Sequence, residues 1–500
     1  MKIVFSEISV PSTGTLIVGI LAGGGLTPAA TDVDQRISGA LTKALAASTR
    51  FSGKKNSTLV LNAPAGLDLG RVLLIGLGAP QEIDKLQMQA LGGRVVAVLN
   101  QLGEAEAALA LDVSEGCALS SEEMVAEAAF GARLAAYRFD KYRTKQKDEE
   151  KPTLNALTVM SAKSTAAEAA AAPRLRVGDG VYLTRDLVSE PSNVKYPATI
   201  IEDIKELSQV GIDVEVLDED RMTELGMGAI LGVGQGSRRA SYIAIMRWNG
   251  AAKADEQPVA FVGKGVTFDT GGISIKPSGG MEEMKYDMAG AGAVIGLMKA
   301  LAGRKARANV VGVVGLVENM PDGNAQRPGD VVTTMSGQTI EVINTDAEGR
   351  LVLSDALWYT QKTFKPQFMV DLATLTGAII VALGTYQAGL FSNNDELAER
   401  LTAAGKASGE ELWRLPLGPR YDKDINSEIA DMKNVGKGRE AGSVTAAQLL
   451  ERFVEDTPWA HLDIAGMAWM KRGDDPTVPK GASGFGVRLL DKLVADYYES

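Results

Sequence analysis

The chain has 500 residues, of which 45% are hydrophobic and 23% charged, a composition typical of globular proteins with a buried core. Its formal net charge of -11 argues against a surface for DNA or for an anionic membrane. The only cysteine is Cys117 and the only histidine is His461, which excludes an intrachain disulfide and any metal site built from several thiolates or imidazoles. A metal site would therefore depend mainly on carboxylates, carbonyl oxygens and amines.

Residues 1–160 are predicted to form an N-terminal α/β domain. Apolar runs rich in β-branched residues predict strands at 3–5, 15–21, 58–62, 71–77 and 154–160, and helical spacing predicts helices at 82–102 and 121–137. This part of the sequence contains no charged constellation of a catalytic type. We therefore expect it to serve packing, assembly or partner binding.

Residues 161–190 are predicted to be a linker that contains a helix. The small-residue run 161–173 is compatible with a flexible linker or a helix, and a helix is expected at 177–189, before Pro191. Residues 191–500 are predicted to form the C-terminal domain, in which strands and helices alternate. That alternation predicts a second α/β domain with a mostly parallel sheet and helices on both faces.

The uncharged stretch 372–391 is long enough to suggest a membrane span. Its threonines and glycines instead favour a buried strand, a turn, and then a second strand or short helix. The N-terminus lacks the apolar segment of a targeting signal, since Glu7 and Pro11 interrupt it. Together with the single cysteine, this predicts a cytoplasmic protein without a membrane segment.

A first polar cluster follows the apolar run 258–262, which predicts a buried strand. Gly263 and Gly265 are expected to end that strand, because glycine disfavours long regular elements. Lys264, Asp269 and Asp287 would then lie beyond the strand, with Asp287 at the start of a helix over 289–301. Separately, each has an ordinary explanation: an exposed loop lysine, a turn residue and a helix cap.

A second polar cluster is the octapeptide 344–351, Asn-Thr-Asp-Ala-Glu-Gly-Arg-Leu. A strand is predicted at 338–343 and a helix from about Arg350, which places Asp346 and Glu348 on a strand-to-helix turn. Ligands of open α/β sheets bind at such turns, and two carboxylates there could hold a divalent cation. The alternative is that Asp346 caps the helix while Glu348 favours its positive end.

Three other features of the sequence are weaker indications of function: a glycine-rich segment, the single histidine and a basic cluster. The segment 232–237 is glycine-rich but lacks the G-x-G-x-x-G spacing of a nucleotide-dependent oxidoreductase, and a strand is predicted after it. His461 lies in the predicted buried strand 459–464, so a structural histidine is favoured over a catalytic one. The basic residues Lys141, Arg143, Lys145 and Lys147 are the only cluster that would suit nucleic acid, and such clusters are commonly solvated faces.

Taken together, these motifs resemble the leucyl aminopeptidase family, also called the cytosol aminopeptidases. The octapeptide matches the family signature, and further matches occur, in the family's order, at 186–191, 262–272, 284–288, 373–378 and 461–466. The resemblance covers about residues 180–490 closely. Residues before that resemble the family only in size and α/β character.

The resemblance implies a metal-dependent aminopeptidase that removes N-terminal leucine and other hydrophobic residues from peptides. It implies two divalent ions per subunit, Mn²⁺ or Zn²⁺ with Mg²⁺ as an alternative, and a water activated by both metals. The implied metal ligands are Lys264, Asp269, Asp287, Asp346 and Glu348, with Asp269 and Glu348 bridging.

The resemblance also implies two catalytic residues. Lys276 would stabilise the oxyanion, and Arg350 would hold a bicarbonate ion that transfers the proton. The first side chain of the substrate would be bound by Met284, Thr374, Gly377 and Ala468. The family is typically a cytoplasmic homohexamer, and some members also bind DNA, which keeps nucleic acid as an alternative, secondary partner.

Overall fold

The structure is a computed structural model that describes residues 1–112, 115–253 and 255–499. It divides into two compact units. The N-terminal unit comprises Met1–Gly178 and Arg472–Pro479, and the C-terminal unit comprises Asp179–Lys471 and Lys480–Ser500. Both units are α/β, as predicted.

The N-terminal unit contains a six-stranded sheet in the order β1-β6-β5-β2-β4-β3, parallel except for the β3–β4 pair. Its elements are β1 (Lys2–Ser6), β2 (Thr15–Leu21), α1 (Pro28–Arg36), α2 (Ala40–Ala47), β3 (Thr58–Asn62), β4 (Arg71–Gly78), α3 (Lys85–Gln101), β5 (Glu106–Ala110), α4 (Ser121–Ala135) and β6 (Ala156–Met160).

Alternation along β2 explains why this sheet has two cores. Leu16 and Val18 pack on the side of α1 and α2, whereas Ile17 packs on the side of α3 and α4. Sequence patterning missed α1, α2 and β5. Thr27 caps α1 and Pro28 opens it, but the helix itself has the mixed composition Pro-Ala-Ala-Thr-Asp-Val-Asp-Gln-Arg, in which periodicity is weak.

A 26-residue helix, α5 (Ser164–Ser189), occupies most of the region predicted as a linker with a helix. Pro173 lies inside it, although proline normally interrupts helices. The sequence left the run 161–173 open between linker and helix, and the structure shows helix from Ser164 onward.

The C-terminal unit is built on an eight-stranded sheet in the order β15-β14-β17-β13-β9-β10-β8-β7, with small sheets β11-β12-β16 and β18-β19 beside it. Its first elements are α6 (Pro197–Lys205), β7 (Asp213–Leu217), α7 (Glu219–Glu224), α8 (Gly228–Gly234), β8 (Tyr242–Asn249), β9 (Val259–Asp269), α9 (Ala289–Arg304), β10 (Asn309–Asn319), β11 (Val331–Thr333), β12 (Thr339–Glu341) and α10 (Gly349–Phe364). The others are β13 (Met369–Ala373), α11 (Gly377–Leu383), β14 (Ala388–Ser392), α12 (Asp395–Ser408), β15 (Leu412–Arg414), α13 (Pro419–Asp424), β16 (Met432–Lys433), α14 (Gly442–Glu451), β17 (Trp459–Asp463), β18 (Trp469–Met470), β19 (Gly481–Ala482) and α15 (Val487–Tyr497).

The four central strands β17, β13, β9 and β10 are parallel, and helices cover both faces of the sheet, as predicted. Along β9, Phe261 belongs to the core beneath α9, while Ala260 and Val262 belong to the core beneath α10. Lys264 follows in the same alternation, so its side chain is directed to the α10 face of the sheet.

The expectation that Gly263 and Gly265 would end the strand is wrong, because β9 continues to Asp269. A Cβ atom at Gly263 would lie 2.6 Å from the Cα atom of Ala291, and one at Gly265 would lie 2.5 Å from the carbonyl oxygen of Gly315. These glycines therefore permit close packing against α9 and β10, which local sequence preference does not reveal.

The stretch 372–391 forms the end of β13, then α11, then β14. In the parts of the chain that the structure describes, no helix combines the length and apolar character needed to cross a membrane.

Candidate metal centre

The predicted polar residues meet at the C-terminal ends of the central parallel strands. Asp269 is the last residue of β9, Asp287 lies in a 3₁₀ segment that leads into α9, and Glu348 is the N-cap residue of α10. The strand predicted before the octapeptide is shorter than expected, and β12 belongs to the small sheet with β11 and β16. The octapeptide nevertheless reaches this edge because the Thr345 hydroxyl donates to the Gly271 carbonyl at 2.6 Å.

Asp269, Asp346 and Glu348 each present a carboxylate oxygen, and these atoms lie within 4.8 Å of one another. Lys264 Nζ lies 2.8 Å from carboxylate oxygens of both Asp287 and Glu348. Lys264, Asp269, Asp287 and Glu348 are each at most 5% exposed. The five residues predicted as metal ligands therefore form one largely buried cluster.

Lys276 contributes a second amine to the cluster. Its Nζ lies 2.8 Å from Asp269 Oδ2 and 2.5 Å from Asp346 Oδ1. Its side chain is 22% exposed, so the amine can meet a molecule that enters from solvent. Burial lowers the pKa of Lys276, but the charges of Asp269 and Glu348 outweigh this and raise it, so the group stays a cation.

Three aspartates of the cluster have raised pKa values. Burial raises the pKa of Asp287 to about 8, against the opposing effect of Lys264. Burial also raises the pKa values of Asp269 and Asp346. In Lys264, burial lowers the pKa but the charges of Asp287 and Glu348 raise it by more.

The donor chemistry fits divalent cations. Four carboxylates face two ammonium groups, so full ionisation of the carboxylates, as metal ligands, leaves two negative charges in excess in a site of low solvent exposure. Oxygen ligands suit Mn²⁺ and Mg²⁺, and Zn²⁺ accepts oxygen and nitrogen. Lys264 could join such a set only as the neutral amine, after losing its proton.

Arg350 lies in the first turn of α10 and is 7% exposed. Its Nη1 donates to the Asn434 carbonyl at 2.8 Å, whereas its buried Nε has no hydrogen-bond partner. Burial lowers the pKa of Arg350 to about 10, against the charges of Glu348 and Asp463. Its unsatisfied donor suits a small anion.

The residues predicted to bind the first substrate side chain lie in three places. Thr374 donates to Asp287 Oδ1 at 2.7 Å, and its carbonyl accepts from Lys264 Nζ at 2.9 Å. Gly377 begins α11 and lines a cavity that also contains Asp346 and Arg350. Met284 and Ala468 lie on adjacent segments, which the stacked rings of Tyr286 and Trp469 hold together.

Three supporting residues were missed by sequence reasoning. Asn319 ends β10 and donates to Asp269 Oδ1 at 2.8 Å and to the Thr345 carbonyl at 3.1 Å. Asp463 ends β17 and accepts from the backbone of Leu375 and Thr376. Both positions carried a usable signal, because each is a polar residue at the end of an apolar strand; Asn434, in a loop, carried none.

The structure does not support a nucleotide-binding loop at 232–237, a catalytic role for His461 or a free basic cluster for nucleic acid. Gly232 and Gly234 lie in α8, where added Cβ atoms would meet the side chains of Gln326 and Ser241. These glycines therefore allow the helix to pack closely against its neighbours and do not form a phosphate-binding loop. His461 is fully buried with Nδ1 2.6 Å from Asp371 Oδ1, as expected of a structural histidine. In the basic cluster, Arg143 pairs with Glu150, and Lys147 pairs with Glu149.

Comparison with known proteins supports the metal-centre interpretation. A model of the cytosol aminopeptidase family catalytic domain matches residues 182–491, and a model of that family's N-terminal domain matches residues 17–146. Probable cytosol aminopeptidases of Caulobacter vibrioides and Rhodopseudomonas palustris are 55% and 54% identical to the chain. Each comparison covers 100% of this chain, and 100% and 99% of the respective relative.

Solved structures with a similar fold support the same family assignment. A mutant of tomato leucine aminopeptidase superposes with a TM-score of 0.86 at 35% identity, covering 99% of this chain and 96% of the other. The bottromycin maturation enzyme BotP in complex with Mn gives a TM-score of 0.84 at 32% identity, covering 96% and 98%. The chain therefore belongs to the cytosol aminopeptidase family and is a metal-dependent aminopeptidase.

Proposed function

We propose that this protein removes the N-terminal residue, preferentially leucine or another hydrophobic residue, from peptides by means of a two-metal centre. The observation that carries the proposal is the convergence of four carboxylates and two lysine amines at one edge of the C-terminal sheet. Lys264, Asp269, Asp287, Asp346 and Glu348 would hold two divalent ions, Mn²⁺ or Zn²⁺ with Mg²⁺ as an alternative. Such ions supply Lewis acidity, which polarises a carbonyl and lowers the pKa of a water molecule.

Lys276 is suited to stabilise the tetrahedral intermediate. It remains protonated, and its partial exposure lets Nζ donate to the carbonyl oxygen of the scissile bond as negative charge develops there. Arg350 is a cation throughout the neutral range and so is no base itself. Its unpartnered Nε would hold a small anion, such as bicarbonate, positioned to transfer the proton.

Met284, Thr374, Gly377 and Ala468 would accept the first side chain of the peptide. These residues are small or apolar except for the threonine, whose hydroxyl is engaged by Asp287. Such a surface favours hydrophobic side chains, because burying apolar area stabilises a bound ligand.

The remaining expectations concern the whole protein. We propose residues 1–160 as an assembly or partner domain, 161–190 as a linker with a helix, and 191–500 as the catalytic domain. The family resemblance supports a cytoplasmic homohexamer. A secondary role in binding nucleic acid is disfavoured by the net charge of -11.

The test is metal analysis combined with hydrolysis of leucine p-nitroanilide. A chelator should abolish hydrolysis, and Mn²⁺ or Zn²⁺ should restore it. Asp287→Asn and Glu348→Gln should lose bound metal and at least about a hundredfold in kcat/KM, since each removes a charged donor. The exposed neighbour Glu282 provides the matched control, Glu282→Gln, which should retain both. Full activity in a metal-free preparation would refute the proposal.

A further inference from the structure

A cavity of about 730 Å³ opens beside the carboxylate cluster. That volume is within the range of sites that bind small molecules. Asp346 and Arg350 line it on the side of the cluster, and α11 forms part of another wall. The loop between β16 and α14 and the first residues of α14 also line it.

Arg439 lies in that loop and lines the cavity. It is exposed, and among the residues that the structure describes it has neither an ion-pair partner nor a hydrogen-bond acceptor. Two arginines that lie near this loop in the sequence are paired, Arg452 with Asp422 and Arg414 with Asp395. An unpaired guanidinium at a cavity wall is free to bind an anionic group of a ligand.

The electrostatic character of the cavity therefore varies from one part to another. Asp346 belongs to the acidic cluster, whereas Arg439 provides positive charge on the loop wall. Beside Arg439, α14 begins at Gly442 with no side-chain cap on its first N–H groups, which adds a partial positive charge to the same wall. A ligand with an amine at one end and a carboxylate at the other matches this arrangement.

We propose that Arg439 binds the free C-terminal carboxylate of a short peptide, so that peptides with a free C-terminus are favoured over their amides. This inference rests on the proposed function, since the N-terminal amine must face the acidic cluster. The planar guanidinium can donate two parallel hydrogen bonds to a carboxylate, which a neutral amide at the same position cannot accept in the same way. Arg439 is thus a residue that determines specificity and takes no part in bond cleavage.

The test compares leucyl-glycine with leucyl-glycinamide, which differ only in the C-terminal group, a carboxylate in the first and a neutral amide in the second. The quantity measured is the ratio of kcat/KM for the acid to kcat/KM for the amide, in the full chain loaded with metal. Arg439→Ala should lower this ratio at least about tenfold, as expected for loss of a charge-assisted hydrogen bond. Arg439→Lys keeps the charge without the planar fork, so it should lower the ratio by less.

Lys437→Ala is the matched control, because Lys437 is an exposed cation of the same loop. Its ratio should equal that of the unsubstituted protein. Equal ratios in the unsubstituted protein and in Arg439→Ala, with both peptides hydrolysed, would overturn this inference and leave the proposed function intact. A metal-loaded protein that hydrolyses neither peptide would overturn both.

Discussion

Gly349 lies where any larger residue would displace the amine of Lys264. A Cβ atom built there would lie 2.7 Å from Lys264 Cδ and Cε, and 2.9 Å from Nζ. Lys264 is buried and shares its amine between Asp287, Glu348 and the Thr374 carbonyl. The octapeptide therefore contributes more than its two carboxylates, since its glycine leaves the space in which the lysine is held.

We predict that Gly349→Ala lowers kcat/KM at least about tenfold and weakens metal binding, while the fold persists. Alanine favours helices by about 1 kcal/mol over glycine, so stability by itself would predict a neutral or beneficial change. Hydrolysis assays and metal titration would measure the effect. Gly323→Ala is the control, because a Cβ there meets nothing within 4 Å. Unchanged metal affinity in Gly349→Ala would contradict the argument.

The residues of the site could be identified from the sequence to different degrees. Asp346 and Glu348 could be placed because a change from strand-like to helix-like patterning surrounds them. The proximity of Lys276 to Asp269 and Asp346 could not be derived, since the glycine-rich segment around it has no periodicity. Asn434 forms hydrogen bonds with four residues of the octapeptide region, Ile343, Asn344, Ala347 and Arg350, yet nothing in a loop asparagine distinguishes it from others.

At the scale of elements, α10 connects the site to the rest of the C-terminal unit. Its first turn carries Arg350, and its next turn carries Asp355, which is fully buried. The Asp355 carboxylate accepts from the backbone N–H groups of Ala229 and Ile230 at the start of α8, both at 3.0 Å, and of Met335 at 2.8 Å. One side chain thus joins two helices and a loop.

Asp355 should make stability depend on pH. Burial raises its pKa from 3.8 to about 7, in spite of the three N–H donors. The folded state therefore retains a proton that the unfolded chain loses first. The contribution of Asp355 to the free energy of unfolding is greatest below pH 3.8, decreases as the pH rises to about 7, and is constant above that.

This prediction can be measured as a difference between two proteins. The free energy of unfolding of the unsubstituted protein minus that of Asp355→Asn should fall between about pH 4 and pH 7, because asparagine does not titrate. Denaturant titrations of metal-free protein at several pH values would give both curves, so that the metal centre affects them equally. Parallel curves across that interval would contradict the assigned pKa.

Elements were predictable where a single pattern dominated. The strands β2 and β3 have the predicted bounds, because their apolar residues stand between polar turns. The prediction made β9 too short. Gly263 and Gly265 are required for close packing against α9 and β10, and these contacts are not visible in the local sequence. α1 and α2 were missed because both are short and only part of each is buried.

On the scale of the whole molecule, the candidate metal centre belongs to the C-terminal unit alone. All of the predicted ligands lie in the C-terminal unit, where excess negative charge is buried. All five tryptophans also lie there: Trp248, Trp358, Trp413, Trp459 and Trp469. Tryptophan fluorescence therefore reports unfolding of this unit, whereas far-UV circular dichroism reports helices and strands of both.

We predict that divalent metal raises the midpoint of the fluorescence-detected thermal transition. Ions that bind the folded cluster but not the unfolded chain stabilise it by about 2.7 kcal/mol at a concentration one hundred times the dissociation constant. They also relieve repulsion among Asp269, Asp346 and Glu348, whose oxygens lie within 4.8 Å. Scans in chelator and in increasing Mn²⁺ would show the shift, and Glu348→Gln should show a much smaller one. A midpoint that does not move with Mn²⁺ in the unsubstituted protein would mean that the carboxylates bind no ion, because linkage requires a shift whenever the folded state binds the metal more tightly.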